Sequence, residues 1–538
     1  MRTIFETEQC EAVILVDASN AFNTLNRNVA LHNVQYTCPH FATILINTYR
    51  KASRLIVRNE TELLSQEGTT QGDNLAMFFY AISTVIIQDR LRSIASVKQV
   101  WLADDATGAG TVNGLLRRWN LVISEGRKYG YHVNESKSWL IAKDDRVLEL
   151  AKIEFSGSSI KYTIDGKRHL GAVIGSADYK KQYATEKVDQ WCNEMRKLAE
   201  IAISEPQAAF AAYTHGEMHK FNYFMRTIPN MEYFLTPLDK VIEDEFLPAL
   251  FGETISETDR KLFKLPIRDG GMGIPVLTQK AKIDCNDIPS RETVRQVRHD
   301  RTELVTALQR QERENVISEL DNKLSRVLSQ NCEKGASSWL TVLPLKDQGF
   351  DLSKDEFRDA FALRYNRKVK NLPSKCTCGQ PFDTNHTMNC KKGGFVSIRH
   401  DNVRDFEANL LKMACNDVEI EPKLQPVEND EARLDIRAPV FWRPGQSAYF
   451  DVRITNVNSN SQANNPVAAI YRNHENEKKR KYNDRVINLE HGSFTPLVFS
   501  INGGMSQEGT IFHKHLAEKI ANKTGQKYER IMSWIRCK

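Results

Sequence analysis

Residues 101–110 have the sequence WLADDATGAG, which places Asp104 and Asp105 between an apolar lead-in and a run of small residues. This pattern predicts two short strands joined by a tight turn, with both carboxylates at the tip. Adjacent carboxylates repel each other, so they cost folding free energy unless a cation neutralises them. A bound divalent metal ion is one interpretation. The alternative is a pair that only caps a hairpin turn, which is the commoner role of such a dipeptide.

A third carboxylate is predicted to join this pair. The segment VILVDASNAFN, residues 13–23, places Asp17 at the end of a strongly apolar strand. Carboxylate oxygens suit Mg²⁺, and two such ions about 3.5 to 4 Å apart support phosphoryl transfer. We therefore expect a Mg²⁺ site formed by Asp17 and Asp104, with Asp105 as a weaker ligand.

Length and composition restrict the class of protein. A chain of 538 residues exceeds one ordinary core, so a multidomain α+β protein is expected. Lys and Arg total 74 against 68 Asp and Glu, and this mildly basic balance permits a nucleic-acid partner without requiring one. The apolar runs are too short for a membrane span, and the ten cysteines do not resemble a secreted disulfide framework. We expect no membrane partner and an intracellular protein, nuclear and cytoplasmic.

Four segments follow from the pattern along the chain. Residues 1–175 alternate strands with amphipathic helices, and residues 176–330 are helical and highly charged. Residues 331–398 are interrupted by glycine, proline and a cysteine cluster, whereas 399–538 again predict strands and helices. Each segment is a predicted domain.

The cysteine cluster predicts a zinc site. Residues 376–390, CTCGQPFDTNHTMNC, place Cys376, Cys378, His386 and Cys390 in a C-x-C-x7-H-x3-C spacing. Four ligands of this type can close a tetrahedral Zn²⁺ site. The alternative is three unrelated thiols and a surface histidine.

A second acidic site is predicted near the end of the chain. Residues 433–455, RLDIRAPVFWRPGQSAYFDVRIT, place Asp435 and Asp451 on two strands joined by a turn. Antiparallel strands can bring these carboxylates together at one end, as metal-dependent nucleases require. Upstream, Arg399, His400 and Asp401 lead into a helix that contains Glu407.

Two lysines in ENEKKRKYNDR, residues 475–485, are predicted to complete this second site. Lys478 and Lys481 are three residues apart, so they share one helix face. Either could stabilise a scissile phosphate or activate water. The alternative for this basic run is a solvated helix face or a nuclear import signal.

The N-terminal sequence segments, and the order in which they occur, resemble the palm of a non-LTR retrotransposon reverse transcriptase. VDASNAFN resembles the first palm motif, which implies Asp17 as a metal ligand and Phe22 as the residue that excludes a 2′-hydroxyl. QEGTTQGDNLAMFFYAIS, residues 66–83, resembles the second, which implies that Gln71 and Gly72 begin a helix that contacts template and nucleotide. WLADDATG resembles the catalytic hairpin.

Three further blocks extend this resemblance. GYHVNESKSWLI, residues 130–141, implies that Lys137 assists the departing pyrophosphate, and KRHLGAVIG, residues 167–175, resembles the primer-gripping turn. LPIRDGGMGIP, residues 265–275, resembles the end of the thumb. The resemblance thus implies a palm over residues 1–175 and a helical thumb over residues 176–330.

The C-terminal segment resembles the restriction-like endonuclease of the PD-(D/E)xK type that ends site-specific non-LTR retrotransposon proteins. A knuckle with three cysteines and one histidine precedes that domain in the family, as it does here. Leu434 replaces the usual proline, and Arg453 occupies the usual lysine position. In relatives with a migrated lysine the role belongs to the next helix, which implies Lys478 or Lys481.

Together these resemblances imply an RNA-directed DNA polymerase and endonuclease for target-primed reverse transcription. They imply Mg²⁺ at two sites, Zn²⁺ in the knuckle, and an RNA template, target DNA and deoxynucleoside triphosphates as partners. Only sixteen residues precede Asp17, so the family's fingers region is predicted to be missing and polymerase activity to be weak. The alternative is a non-catalytic nucleic-acid-binding remnant of such an element.

Overall fold

A computed structural model describes residues 1–57, 61–70, 72–284, 294–427 and 431–537. The protein is a multidomain mixture of helices and small sheets, as predicted. It divides into two compact units, Met1–Lys187 and Val188–Lys538. Gln71, implied to contact the template, lies outside the described residues.

Short strands and helices alternate in the first unit, in agreement with the pattern of its apolar residues. The strands are β1 (Ala12–Ala18), β2 (Ser53–Val57), β3 (Thr61–Ser65), β4 (Val97–Leu102), β5 (Asp105–Gly110), β6 (Val133–Ala142), β7 (Lys161–Thr163), β8 (Gly166–His169) and β9 (Ala172–Gly175). The helices are α1 (Arg2–Phe5), α2 (Ala21–Thr24), α3 (Arg27–Thr37), α4 (Pro39–Tyr49), α5 (Ala76–Leu91), α6 (Val112–Tyr129), α7 (Asp145–Glu154) and α8 (Ala177–Ser204), the last ending in the second unit.

A five-stranded sheet in the order β4-β5-β1-β6-β7 forms the centre of the first unit. β1 is antiparallel to both neighbours, with Ile14 opposite Gly108 on β5 and opposite Leu140 on β6. Helices α5 and α6 cover one face, where Leu115 and Trp119 pack with Ile14 in one buried cluster. Burial of each such side chain contributes about 1.5 to 3 kcal/mol to stability.

Local signals determine where α6 begins and ends. The Thr111 side chain accepts a hydrogen bond from the Gly114 N–H, which satisfies one of the free donors of the first turn. Gly130 ends the helix at φ +77°, where a side chain would be strained and would also meet the Thr24 backbone. The chain then enters β6, which pairs with β1.

The second unit is mostly helical before residue 415 and contains both strands and helices after it. Its helices are α9 (Pro206–Ala212), α10 (Met218–Thr227), α11 (Thr236–Val241), α12 (Leu247–Phe251), α13 (Glu257–Phe263), α14 (Leu277–Asp284), α15 (Val294–Glu319), α16 (Asn322–Asn331), α17 (Lys354–Arg364), α18 (Thr384–Asn389), α19 (Phe395–Ala414), α20 (Val467–Asn488), α21 (Gln507–Thr524) and α22 (Tyr528–Cys537). Shorter π and 3₁₀ turns lie at Tyr213–Glu217, Met231–Tyr233, Ile242–Phe246, Ile267–Asp269, Ser338–Thr341 and Lys346–Gln348.

The glycine pair at 270–271 makes a tight turn inside this helical part. Gly270 has φ +90°, and a Cβ on Gly271 would lie 2.1 Å from the Leu265 carbonyl oxygen. The Arg364 guanidinium donates hydrogen bonds to both glycine carbonyls, at 3.0 and 3.1 Å. Only glycine permits this close approach of the backbone.

A four-stranded sheet organises the end of the chain. Its strands are β10 (Glu419–Ile420), β11 (Ile436–Pro439), β12 (Ser447–Thr455) and β13 (Ser493–Ser500), in that order. The strands β11 and β12 are antiparallel, whereas β12 and β13 are parallel and are connected through α20. The two strands predicted near Asp435 and Asp451 and the helix predicted to contain Lys478 are therefore present.

Among the described residues, no helix is both long and apolar enough to span a bilayer.

Candidate functional site

In the first unit, the register of β1 and β5 brings the first predicted carboxylates together. Val16 pairs with Ala106, so Asp17 follows at the strand end where Asp105 begins β5. Asp17, Asp105 and Lys137 line one cavity of about 310 Å³ together with the β8–β9 hairpin. Residues far apart in the chain therefore meet at one edge of the sheet.

A bulge between β1 and β6 reinforces this placement. The pairing shifts between Leu15, which faces Trp139, and Asp17, which faces Asn134. The buried Ser138 hydroxyl accepts a hydrogen bond from the Asp17 N–H at 3.1 Å and donates one to the Asn134 carbonyl. Such bulges change the direction of side chains next to functional sites.

The predicted hairpin is present, and Asp104 lies in its turn. Leu102 pairs with Asp105, which leaves Ala103 and Asp104 as the two turn residues, with Ala103 at φ +54°. A positive φ costs an alanine free energy, so the surrounding structure must hold it. The Tyr131 hydroxyl donates a 2.8 Å hydrogen bond to the Asp104 carbonyl oxygen, which anchors the turn.

The carboxylates of this site repel one another. Partial burial raises the pKa of Asp105, and the neighbouring charges of Asp104 and Asp17 raise it further. Repulsion of this kind is what a divalent cation offsets. The site therefore concentrates negative charge at one edge of the sheet.

Phe22, the predicted sugar-contacting residue, packs against α5. Its ring lies 4.4 Å from that of Tyr80, centroid to centroid. Burial raises the pKa of the Tyr80 hydroxyl, and the Asp104 carboxylate raises it further. Phe22 and Asp104 are therefore both next to Tyr80. Gly72, at φ +89°, lies in a turn, and the helix predicted to begin there begins at Ala76 instead.

Three basic side chains at this cavity were not predicted individually. Lys167, Arg168 and His169 of β8 line it beside Asp17 and Asp105. The Lys167 ammonium lies 3.8 Å from the centre of the Trp139 ring, and His169 Nε2 lies 3.3 Å from the Thr107 hydroxyl. The run KRHLG, which resembles the primer-gripping turn, was the signal for them in the sequence.

The predicted zinc ligands converge in the second unit. One ligand atom from each of Cys376, Cys378, His386 and Cys390 lies within 4.8 Å of all the others. The sulfurs of Cys376 and Cys390 are 3.7 Å apart. Tetrahedral Zn²⁺ with Zn–S bonds of about 2.3 Å requires a spacing of about 3.8 Å, so the cluster fits a metal such as zinc.

Local bonds shape this cluster. The Asp383 side chain caps α18 by accepting a 2.7 Å hydrogen bond from the His386 N–H, which fixes the histidine at the first helical turn. The Cys378 backbone, with the His386 side chain, lowers the pKa of the Cys376 thiol to about 6. A thiolate at neutral pH is the form that binds zinc.

The second predicted carboxylate pair also converges. Ile436 pairs with Phe450, so Asp435, which directly precedes β11, is a neighbour of Asp451 in the middle of β12. Asp435 Oδ2 accepts a 2.6 Å hydrogen bond from the Val452 N–H. Burial raises the pKa of Asp451, against the opposing effect of the Lys478 ammonium, and the Asp435 charge adds to the rise.

Of the two candidate lysines, Lys478 contacts a carboxylate of the predicted pair. Its Nζ lies 2.6 Å from Asp451 Oδ2, and both side chains are largely buried. Lys481 is exposed, and its ammonium lies 4.8 Å from the centre of the Tyr482 ring. Arg453, which occupies the lysine position implied by the resemblance, acts electrostatically on His474 and Glu477 of α20.

His400 is a member of this site to which the sequence assigned no role. Its Nε2 lies 3.2 Å from Asp435 Oδ1, and this hydrogen bond raises the pKa of His400. Its place next to a predicted helix was visible in the sequence, although α19 already begins at Phe395, but its distance from Asp435 was not. Glu407 on the same helix pairs instead with His513, at 3.0 and 3.1 Å.

The aspartates are less tightly grouped than the zinc ligands. Within the described part of the chain, the Cys and His cluster is the one set of three or more Cys, His, Asp and Glu side chains placed to hold a single ion. Side-chain adjustment would therefore be needed for Mg²⁺ at either carboxylate site.

No protein-family model matches the sequence, and no curated protein matches it either.

Proposed function

We propose that this protein is a metal-dependent nucleic-acid enzyme of the non-LTR retrotransposon type, which cleaves target DNA and extends the exposed 3′-hydroxyl by copying RNA. The single observation that favours it most is the Lys478–Asp451 pair beside Asp435 and His400. A buried ion pair contributes little to stability compared with apolar residues, so its presence argues for a chemical role. Its partners are DNA, an RNA template and deoxynucleoside triphosphates.

Each residue of the nuclease site has a role under this proposal. Asp435 and Asp451 would hold Mg²⁺, which when bound polarises the phosphate and the attacking water. Lys478 places a positive charge where the scissile phosphate gains negative charge in the transition state. His400 orients the Asp435 carboxylate through its hydrogen bond.

The polymerase site has a comparable arrangement. Asp17 and Asp105, with Asp104 at the turn, would hold the Mg²⁺ that supports attack of the primer hydroxyl on a triphosphate. Lys137 lines the same cavity and would neutralise the departing pyrophosphate. Phe22 would contact the nucleotide sugar, while Lys167 and Arg168 would hold the primer backbone.

A nicking assay tests the nuclease half. The full-length protein is incubated with supercoiled plasmid and Mg²⁺, and Asp451→Asn is compared with the exposed control Asp484→Asn. We expect Asp451→Asn to abolish nicking and Asp484→Asn to leave it unchanged. Equal nicking by all three proteins would refute the assignment.

Primer extension tests the polymerase half. Poly(rA) with an oligo(dT) primer is the template, and Asp17→Asn is compared with the exposed Asp89→Asn. Weak extension that disappears in Asp17→Asn alone is expected. Extension that survives Asp17→Asn would refute the assignment of this site.

A nucleic-acid-binding protein without catalysis is the second candidate. The observation that favours it is the burial of Asp451, which is 4% exposed and already paired with Lys478, so a metal ion has little access. Salt-dependent DNA binding by a protein that neither nicks nor extends would select this alternative.

A further inference from the structure

A cavity of about 480 Å³ lies in the second unit, apart from the carboxylates of the nuclease site. It is bounded by Ile454 and Phe499, which pair near the carboxyl ends of the parallel strands β12 and β13. In open α/β sheets, ligands bind outside the carboxyl ends of such strands. Its volume is that of a typical small-molecule site.

The walls of this cavity are largely apolar and aromatic. Trp339, Phe406 and Phe499 contribute rings, and Ile454 and Ile535 contribute aliphatic surface. Flat rings of this kind stack on planar heterocycles with little dependence on sequence. The walls therefore suit a planar aromatic group.

Polar atoms without partners accompany these walls. His513 is 4% exposed and directs Nε2 at Glu407, while its Nδ1 is buried without a hydrogen-bond partner. The Asn502 Oδ1 is likewise buried and unpartnered. Both residues line the cavity. Such atoms cost free energy unless a ligand or water bonds to them.

The charges around the cavity favour an anion. Arg364, Arg399 and Arg536 line it, whereas the carboxylate on its lining, Glu407, is occupied by His513. Partial burial lowers the pKa of Arg399, whose terminal nitrogens donate to the Met388 sulfur and carbonyl oxygen and whose guanidinium lies 5.9 Å from the centre of the Phe395 ring. Its Nε is buried without a partner. Arg399 is half-buried, and neither of these hydrogen bonds is to a carboxylate, so a phosphate would supply a counter-ion for it.

We propose that this cavity binds one nucleotide, with the base between the aromatic walls and the phosphate at Arg399 and Arg536. Helix α19 connects the cavity to the nuclease site, because it contributes Val403, Phe406 and Glu407 to the lining and its His400 bonds to Asp435. The source we infer is an unpaired nucleotide of the bound strand, and this part rests on the proposed function.

Nucleotide binding is measured directly in EDTA, where cleavage does not occur. Isothermal titration of the full-length protein with AMP and adenosine is expected to show AMP binding more tightly. Ala360→Leu fills the cavity from α17 and should weaken AMP binding about tenfold or more. Ala469→Leu, the same change on α20 outside the lining, should leave it unchanged.

A second variant tests the phosphate contact. Arg399→Met keeps the length of the side chain and removes its charge, so AMP should bind about as weakly as adenosine. Arg443→Met, on the exposed β11–β12 turn, should retain the preference for AMP. Absence of AMP binding to the unchanged protein, or equal effects of Ala360→Leu and Ala469→Leu, would overturn the proposal.

Two comparisons separate this proposal from the proposed nuclease. Nicking by a protein that does not bind AMP would overturn the nucleotide site alone, whereas AMP binding without nicking would overturn the nuclease alone. The unchanged protein should bind an oligonucleotide duplex with one unpaired nucleotide more tightly than a fully paired duplex. Ala360→Leu should lose this preference. Equal binding of both duplexes would overturn the strand as the source of the nucleotide.

Discussion

Replacement of Lys478 by alanine should damage both stability and cleavage, because this lysine is the cation paired with a buried carboxylate. Asp451 is 4% exposed, and the side chain of Lys478 is 18% exposed. Removal of one partner of a buried pair costs about 3 to 5 kcal/mol, since the other charge stays uncompensated. Partial exposure of the lysine and protonation of Asp451 both reduce the cost, so we expect about 3 kcal/mol.

Lys481 is the matched control for this change. It is three residues away on the same helix and is exposed, so Lys481→Ala should alter the free energy of unfolding by less than about 0.5 kcal/mol. Urea denaturation gives both values, and plasmid nicking in Mg²⁺ gives the rates. In Lys478→Ala, the phosphate would lose a positive charge that stabilises the negative charge it gains in the transition state. Nicking should therefore be about 10² to 10³-fold slower.

Two results would refute this reasoning. Equal stability of the two variants would mean that Lys478 and Asp451 are not paired in solution. Equal nicking by the two variants, with only Lys478→Ala destabilised, would leave the ion pair a structural role and remove Lys478 from the chemistry.

Three further predictions follow from other parts of the molecule. Native mass spectrometry of the reduced protein should show one zinc ion that Cys390→Ser loses and Cys38→Ser retains; a metal-free unchanged protein would contradict the site. Burial raises the pKa of Glu333 in the folded protein. The contribution of this group to stability is therefore fully present below the pKa that Glu333 has in the unfolded chain, and it is lost as pH rises through the pKa that Glu333 has in the folded protein. Glu333→Gln should therefore raise Tm at pH 7 but not near pH 4, and a shift of equal size at both would contradict this. Gly271→Ala should lower stability by more than about 2 kcal/mol because its Cβ meets backbone, whereas Gly216→Ala, with open space, should not; similar unfolding midpoints would disprove the packing.

Sequence patterns predicted much of the local structure. The apolar run before Asp17 forms β1, and the run around Asp451 forms β12, because β-branched residues in short stretches favour strands. The turn at Asp104 was also predictable from its small and polar neighbours. The helix start near Gly72 was misplaced, because polar residues that favour helix caps equally favour turns.

Side-chain partners were less predictable. Glu407 of α19 and His513 of α21 form a buried pair, and His400, also on α19, reaches Asp435 beside β11. Local periodicity describes which face of an element is apolar, but it does not state which element covers that face. The nucleotide cavity depends on several such contacts and had no local signal.

By itself the sequence determined which carboxylates lie in or next to strands and which four residues have zinc-ligand spacing, since both depend on short-range geometry. Only the tertiary structure decided between Lys478 and Lys481. Residues three apart on a helix differ by about 60° in direction, so both belong to one face in the sequence. The packing of α20 against the sheet determines its rotation, and that rotation directs Lys478 to Asp451 and leaves Lys481 at the surface.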